Sequence, residues 1–482
     1  MIVSCRWLFR LAASVLGLGM MSQACASELQ IHPIALDKIY QADDYAFLDA
    51  AVGARRVVAL GESIHVTEEM PRGRQRVVHY LHERMGFDVL ALEGSLIDAW
   101  TAQEHAYANA KPVDETARLY AREALFGLWQ TAPMEAVVAE ALRPQSGRAP
   151  IYLTSFDLQP GMARAYEGSA ERSLSAFLAA LHALDPSVSD AKMHEWTQSL
   201  VPSLECKSSQ TDLQALSELE AWINGSAATA TGAIRPAMHV AALQLVPTML
   251  RYRLQQCAEW LAADKSMKVY QQSRDELNAK LALALLDHFP KMILWAHHSH
   301  LHYNSLGQAI PSMGQHLHQA LGDQLYTIGV FALDGAAMDS SKADAADGLA
   351  VITALAATPI PDDARFSVER ALAALSTADF FIDLKAAPAV WGQPGFSRLE
   401  TTGRMPTALS HDFDGAIFLH QVHGAPLNFL PRWLNGVIAA AGWVLQHVIL
   451  ASAIGLLLIA GMVRGISRFW QRRRQRRMRV RS

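Results

Sequence analysis

Short runs of β-branched and aliphatic residues recur through the middle of this chain and constrain its fold more than any other feature. Most are bounded by Gly, Pro or Asp and are separated by segments of helix length. These runs are 57–60, 87–92, 151–156, 292–295, 325–331, 380–384 and 416–419. The pattern is typical of βα units, so it predicts an α/β fold with a mostly parallel sheet flanked by helices.

One long segment, 163–288, interrupts this alternation. It is rich in Ala, Leu, Gln and Glu and offers no convincing strand. Apolar residues such as Leu213, Leu216, Leu219 and Trp222 recur at helical spacing. We therefore expect a helical insertion subdomain that packs against the sheet, within one domain that spans 27–430.

The N-terminal residues 1–26 have the order of a secretory signal peptide. Arg6 and Arg10 precede an apolar stretch, 11–21, and Ala24-Cys25-Ala26 follows it. This order predicts export with cleavage after Ala26, while an uncleaved anchor is the alternative. A lipoprotein is less favoured, because the residues before Cys25 lack the aliphatic side chain expected there.

The C-terminal region predicts a membrane anchor. Residues 434–463 carry no charged side chain, and a span needs about 20 apolar residues. The following tail, 464–482, has nine arginines and no acidic residue. Such a tail stays on the cytoplasmic side and favours anionic lipid as its partner. We thus expect a single-pass inner-membrane protein whose domain faces the periplasm or the exterior.

Charge and cysteine content narrow the remaining classes. The chain has 482 residues and a net charge of −4, and its arginines are concentrated at the ends, so the body is acidic. An acidic body disfavours nucleic acid as a partner. Cys206 and Cys257 are the only cysteines in the predicted exported part. They form either one disulfide or two buried free thiols.

Polar side chains follow three of the predicted strands directly. Run 57–60 continues into Glu62 and His65, run 87–92 into Glu93, and run 292–295 into His297 and His300. The carboxyl ends of parallel strands meet at one edge of a sheet, where ligands bind. Glu and His are costly to bury without a function, so together these residues predict an active site. The chain contains no G-x-S-x-G, G-x-G-x-x-G, P-loop or H-E-x-x-H motif.

The sequence resembles the erythromycin esterase family over most of the body. The resemblance rests on the order and spacing of Gly61-Glu62-x-x-His65, Arg74, Leu92-Glu93-Gly94, Phe156-Asp157-Leu158-Gln159, Trp295-Ala296-His297-x-x-His300, Met313-Gly314-Gln315 and Phe413-Asp414-Gly415-Ala416-Ile417-Phe418. Two positions depart from the family. Val66 stands where many members have Gly, and His298 stands where Asn is common.

The resemblance implies an α/β sheet with a helical subdomain and hydrolysis of a carboxylic ester or macrolactone, as in macrolide inactivation. It implies that His65 is the general base that activates water, with Glu62, Arg74, Glu93, His297 and His300 around it. A carboxylate beside a neutral imidazole fixes the tautomer that accepts a proton. Arg74 can pair with a carboxylate or stabilise an oxyanion, and His297 or His300 can polarise the ester. This scheme needs no cofactor.

Three alternatives remain at this stage. The same His and Glu residues have the ligand types of a hydrolase that uses zinc or another divalent metal. A membrane-tethered binding protein without catalysis is a second alternative. Ser63 and Ser95 lie near the histidines and are candidate nucleophiles, although neither lies in an elbow motif.

Overall fold

The computed structural model describes residues 29–109, 111–161, 169–232, 236–304, 310–338, 358–360, 362–385 and 387–425. The predicted signal peptide (1–26), membrane span (434–463) and Arg-rich tail (464–482) lie outside these residues. Within the described ranges, no helix combines the length and the apolar character needed to cross a bilayer.

A nine-stranded sheet lies at the centre of the described chain, with a separate two-stranded hairpin. The strands are β1 Ile31–Pro33, β2 Val57–Glu62, β3 Val89–Ser95, β4 Tyr152–Asp157, β5 Met292–His297, β6 Leu325–Ala337, β7 Thr358–Ile360, β8 Phe380–Asp383, β9 Gly395–Leu399, β10 Gly403–Thr407 and β11 Gly415–Val422. All seven predicted runs are strands of the main sheet. The strands β1, β7, β9 and β10 were not predicted.

The strand order is β1-β8-β11-β6-β2-β5-β3-β4, and β7 pairs with β6. Pairing is parallel from β11 through β4. It is antiparallel where β8 meets β11 and β1 and where β7 meets β6. The fold is therefore mixed α/β, and the three strands that end in polar site residues, β2, β5 and β3, are immediate neighbours.

Helices cover both faces of the sheet. They are α1 Phe47–Val52, α2 Glu69–Met85, α3 Leu96–Asn109, α4 Val113–Ala124, α5 Ala132–Ala141, α6 Ser169–Leu184, α7 Asp190–Leu204, α8 Leu213–Gly232, α9 Ala237–Ala262, α10 Met267–His288, α11 His298–Leu301, α12 Met313–Leu321, α13 Ser367–Ala373 and α14 Leu409–Asp412. Short 3-10 turns occupy Ala42–Tyr45, Gly127–Trp129, Gly322–Gln324 and Ala389–Gly392.

Side chains alternate along the buried strands, so successive residues of β2 belong to two different core clusters; a third, smaller cluster includes residues of β8, β11 and α13. Val57 and Ala59 of β2 contact the helices α6 to α10 on one face. Val58 and Leu60 face the other cluster, which includes α1, α2, α4 and α5. Strands buried on both faces read as continuous apolar runs, which is why the sequence revealed them so clearly.

A disulfide joins Cys206, just after α7, to Cys257 on α9. Of the two alternatives for these cysteines, the structure has the bridge. It links two helices of the segment between β4 and β5, whose described residues form helices α6 to α10.

Candidate active site

The carboxyl ends of β2, β3 and β5 bring the strand-end residues to one place. Glu62 pairs in register with His297, because β2 and β5 are adjacent and parallel. On β3, the register with β4 shifts between Leu92 and Ser95, and Glu93 lies within this irregularity. The Glu93 carboxylate accepts the backbone N–H of His297 at 2.9 Å. The expected convergence at this edge of the sheet is therefore present in the structure.

Glu62, His65 and Arg74 form one buried unit. The Glu62 Oε1 atom lies 2.7 Å from His65 Nδ1, and its other oxygen accepts a hydrogen bond from the Arg74 Nη2 atom. The Arg74 side chain is fully buried, with its guanidinium 3.7 Å from the centroid of the Trp295 ring. Burial lowers the Arg74 pKa to about 10. Arg74 therefore pairs with the Glu62 carboxylate and holds it in one orientation.

A second carboxylate approaches His65 from the tip of the β9–β10 hairpin. Glu400 Oε1 lies 3.5 Å from His65 Nε2, and Oε2 accepts the backbone N–H of His65 at 3.2 Å. Burial alone would lower the His65 pKa, but Glu400 and Glu62 outweigh it and raise the pKa to about 9. With Glu400 in this position the His65 ring is an imidazolium at neutral pH. The sequence, in contrast, predicts a neutral imidazole as the base.

His297 has the opposite protonation behaviour. Its Nε2 atom lies 3.1 Å from the Ser63 carbonyl, to which it donates, and Nδ1 accepts the Ser299 N–H at 3.2 Å. Burial and the proximity of His65 hold the pKa of His297 well below its usual value. These partners assign a neutral ring with its proton on Nε2. Glu400 Oε1 lies 3.5 Å from this Nε2 atom as well.

The predicted residues Glu93 and His300 belong to a network that continues from this unit. Arg274 of α10 donates to Glu93 at 3.0 Å and to His300 Nε2 at 3.0 Å, and it also binds Asp157. Burial would raise the Glu93 pKa, but His300 and Arg274 outweigh it and lower the value to about 2. Burial likewise opposes charge on His300, but Asp275, 2.7 Å from its Nδ1 atom, raises the pKa above its usual value.

The two departures from the family have visible structural consequences. Val66 has a φ of 55°, a left-handed conformation that Gly adopts without strain and that is unfavourable for a β-branched residue. His298 is fully buried against Gly61, where an added Cβ atom would lie 3.0 Å from His298 Cα. Burial lowers the His298 pKa to about 3, so this residue adds no charge at neutral pH.

The two candidate serines are both buried, and neither hydroxyl is hydrogen-bonded to a histidine among the described residues. The Ser63 side chain is buried, and its carbonyl accepts the N–H groups of His297 Nε2 and of the Glu400 backbone. Ser95 Oγ accepts the Asp98 N–H at 3.5 Å at the start of α3.

Sequence reasoning did not identify Glu400, Arg274 or Asp275 as part of the site. Arg274 and Asp275 lie within a 22-residue helix, where charged residues usually mark the solvent face. Glu400 lies on a turn 335 residues from His65. No local pattern in the sequence marks any of these three positions.

The fold is α/β, and a carboxylate–imidazole pair lies at the carboxyl edge of its parallel strands, where open α/β sheets bind ligands. Comparison with known proteins shows which family the chain belongs to. The model of the erythromycin esterase family matches residues 82–422. YbfO of Bacillus subtilis, provisionally named as a hydrolase, is 25% identical over 334 residues, covering 62% of this chain and 69% of YbfO.

Solved structures share the fold. A Bacillus cereus protein superposes with a TM-score of 0.64 at 16% identity, over 85% of this chain and 99% of that one. A succinoglycan biosynthesis protein gives 0.58 at 16% identity, with 85% and 98% covered. A mutant of the erythromycin esterase EreC in its open conformation gives 0.55 at 18% identity, with 83% and 99% covered. The chain belongs to the erythromycin esterase family and is a hydrolase acting on ester bonds.

Proposed function

We propose that this protein is an exported, membrane-anchored esterase in which water activated by His65 cleaves a carboxylic ester or macrolactone. Macrolide inactivation is the first activity to test, because the family is named for erythromycin esterase. The single observation that carries the proposal is the 2.7 Å contact between Glu62 Oε1 and His65 Nδ1. It leaves Nε2 as the reactive atom of the ring.

The Glu62 contact has two effects on catalysis. It fixes the His65 tautomer with its proton on Nδ1, so that the Nε2 lone pair can accept a proton from water once Glu400 has withdrawn. It also stabilises the imidazolium that results. Arg74 holds the carboxylate in place from the buried side, so the pair is oriented before a substrate arrives.

His297 supplies a hydrogen-bond donor for the carbonyl oxygen of the ester when its Nε2–H, which the Ser63 carbonyl accepts in the resting site, is shared with the substrate. Its neutral ring carries a proton on Nε2, and this atom faces the same oxygen of Glu400 as His65 Nε2 does. In the proposed reaction, water attacks the carbonyl carbon, His65 takes one proton from it, and His297 stabilises the oxyanion. His65 then returns the proton to the leaving alkoxide, which releases an acid and an alcohol.

Export and anchoring are supported by features at both ends of the chain and by one in the fold. Residues 1–26 and 434–463 have the patterns of a signal peptide and a membrane span, and the tail 464–482 is basic. The Cys206–Cys257 disulfide is of a kind that persists mainly in oxidising compartments. Anionic lipid is the proposed partner of the tail.

A metal-dependent hydrolase is the second candidate. One atom each from His65, His297 and Glu400 lies within 4.8 Å of the others, which is compact enough for a metal site. A metal ligand needs an unprotonated nitrogen, however, and His297 Nε2 donates its proton to the Ser63 carbonyl. Its Nδ1 lone pair is used by the Ser299 N–H. This pair of contacts favours the mechanism without a metal.

The decisive experiment is hydrolysis of erythromycin and of 4-nitrophenyl acetate by the purified full-length protein, with and without EDTA. The proposal predicts turnover of at least one ester that EDTA leaves unchanged. Activity that EDTA abolishes and zinc restores would establish the metal mechanism instead. Saturable erythromycin binding without turnover of any ester would establish the non-catalytic binding protein.

A further inference from the structure

The Glu400 carboxylate lies against the two histidines at which the proposed reaction takes place. One of its oxygens faces both His65 Nε2 and His297 Nε2 at 3.5 Å, and the other accepts the His65 backbone N–H at 3.2 Å. Two ring nitrogens and one backbone amide thus surround a single carboxylate. The acid released by the proposed reaction is also a carboxylate, and it forms beside the same two rings.

The hairpin that carries Glu400 is held firmly against the site. Arg398 is buried, and its guanidinium donates to the Thr401 carbonyl at 3.0 Å and to the Leu333 carbonyl of β6 at 3.1 Å. The Arg398 backbone N–H donates to the buried Glu369 at 2.7 Å. The guanidinium also lies 3.9 Å from the centroid of the Phe366 ring. These contacts fix the hairpin tip to the sheet, so the backbone position of Glu400 is part of the fold, while none of them involves its side chain.

Glu400 itself, on the turn of the hairpin, has an unfavourable backbone conformation. Glu400 has a φ of 58°, and its backbone N–H donates to the Ser63 carbonyl at 2.9 Å. A left-handed non-glycine residue persists only where surrounding contacts hold it, and such residues cluster at functional sites. The Glu400 side chain is 36% exposed, so it lies at the mouth of the site and has room to move outward.

We propose that His65 and His297 form the binding site for the carboxylate of the acid product, and that Glu400 occupies this site as an internal mimic until an ester displaces it. The inference rests on the proposed esterase function and adds the chemical class of the ligand, a carboxylate. When Glu400 withdraws, the proton held by His65 Nε2 leaves to solvent and the ring becomes the base. When Glu400 returns, it displaces the product.

The test measures binding of acetate, the simplest carboxylate, to the full-length protein by calorimetry. Sodium acetate replaces sodium chloride at constant ionic strength, so that general screening stays the same. A site filled by an internal competitor has its apparent affinity reduced by the fraction of open protein, so Glu400→Ala should bind acetate about tenfold more tightly or better. The control Thr402→Ala, an exposed position on the same turn, should bind it as weakly as the wild type.

A kinetic measurement complements the binding experiment. Glu400→Ala should lower the KM for 4-nitrophenyl acetate by a factor similar to its gain in acetate affinity, with kcat within about threefold of the wild type. Glu400→Gln, which keeps the size of the side chain and removes its charge, should give intermediate values. It also serves as the test variant if Glu400→Ala does not fold.

Acetate binding needs no turnover, so its result is separate from the esterase function. Tighter acetate binding in Glu400→Ala, together with absence of ester hydrolysis, would support the carboxylate site and reject the esterase. Equal acetate affinity in the wild type, Glu400→Ala and Thr402→Ala would overturn the inference. So would loss of kcat with unchanged acetate affinity, which would assign Glu400 to the chemical step.

Discussion

His65 lies between two carboxylates that affect the ring differently. Glu62 contacts Nδ1 and fixes the tautomer that a base requires. Glu400 faces Nε2, the atom that accepts the proton in the proposed mechanism, and together the two raise the His65 pKa to about 9 against the effect of burial. Glu93 of β3 also raises the His65 pKa, and the neutral His297 ring packs beside the His65 ring. The resting site therefore holds His65 protonated at neutral pH.

This arrangement predicts a pH dependence. Because the base must be deprotonated, kcat/KM for ester hydrolysis should rise with pH through the region of about pH 9 in the wild type. Glu400→Gln removes one negative charge and lowers the His65 pKa, so its rise should occur at lower pH. Rate profiles from about pH 5 to about pH 10 test this. The same midpoint in both proteins would show that Glu400 does not act on the base.

Val66 illustrates how a strained residue can be retained. Its left-handed backbone costs about 1–3 kcal/mol, but burial of its side chain stabilises the fold by a similar amount. The Val66 carbonyl accepts the Ala425 N–H at 3.0 Å, which holds the loop after His65 against the chain that follows β11. Strain and burial therefore nearly cancel at this position.

Substitution at Val66 should separate these two terms. Val66→Gly loses the burial and the strain together, so the free energy of unfolding should change by less than about 1 kcal/mol. Val66→Ala loses most of the burial and keeps much of the strain, so it should cost about 1–2 kcal/mol. Urea unfolding of both variants measures the difference. A glycine variant less stable than the alanine variant would show that the backbone is not strained.

At the scale of elements, the parallel strands could be predicted from the sequence and the hairpin could not. Buried parallel strands form apolar runs, and the polar residues after three of them predicted where the chain would converge. The β9–β10 hairpin has strands of five residues each with no regular alternation of buried and exposed side chains, and only pairing across the turn defines it. Its contact with the loop after β2 joins residues more than 300 positions apart, so Glu400 was missed.

The helices between β4 and β5 carry the disulfide, whose removal is a test of this element. Bridging Cys206 to Cys257 closes a loop of about fifty residues and should stabilise the fold by about 2–4 kcal/mol. The Cys206→Ser/Cys257→Ser double variant should unfold at correspondingly lower urea. Peptide mapping after alkylation without reduction should find neither cysteine labelled. Full labelling of both would contradict the bridge.

At the scale of the whole molecule, the proposal places the enzymatic domain outside the cytoplasm. The predicted signal peptide, the predicted span at 434–463 and the Arg-rich tail agree on one orientation, since basic segments remain on the cytoplasmic side. A small-molecule ester would then be cleaved before it reaches the cytoplasm.

Reporter fusions test this orientation. Alkaline phosphatase, which is active only after export, should be active when fused after Gly424 and inactive when fused after Ser482. A cytoplasmic reporter such as β-galactosidase should give the reverse pattern and serves as the control. Phosphatase activity from the Ser482 fusion would contradict the predicted topology.

The central claim is that His65 activates water, and the rate of ester hydrolysis by His65→Ala tests it most directly. Loss of a general base typically lowers the rate by about 10²–10⁴-fold, so we expect a fall of this size in a variant whose circular dichroism is unchanged. Glu62→Gln should fall in the same direction, because the ring loses its orienting carboxylate. Ser63→Ala, the matched control for a serine nucleophile, should keep most of the activity. Full activity in His65→Ala, or loss of activity only in Ser63→Ala, would contradict the account.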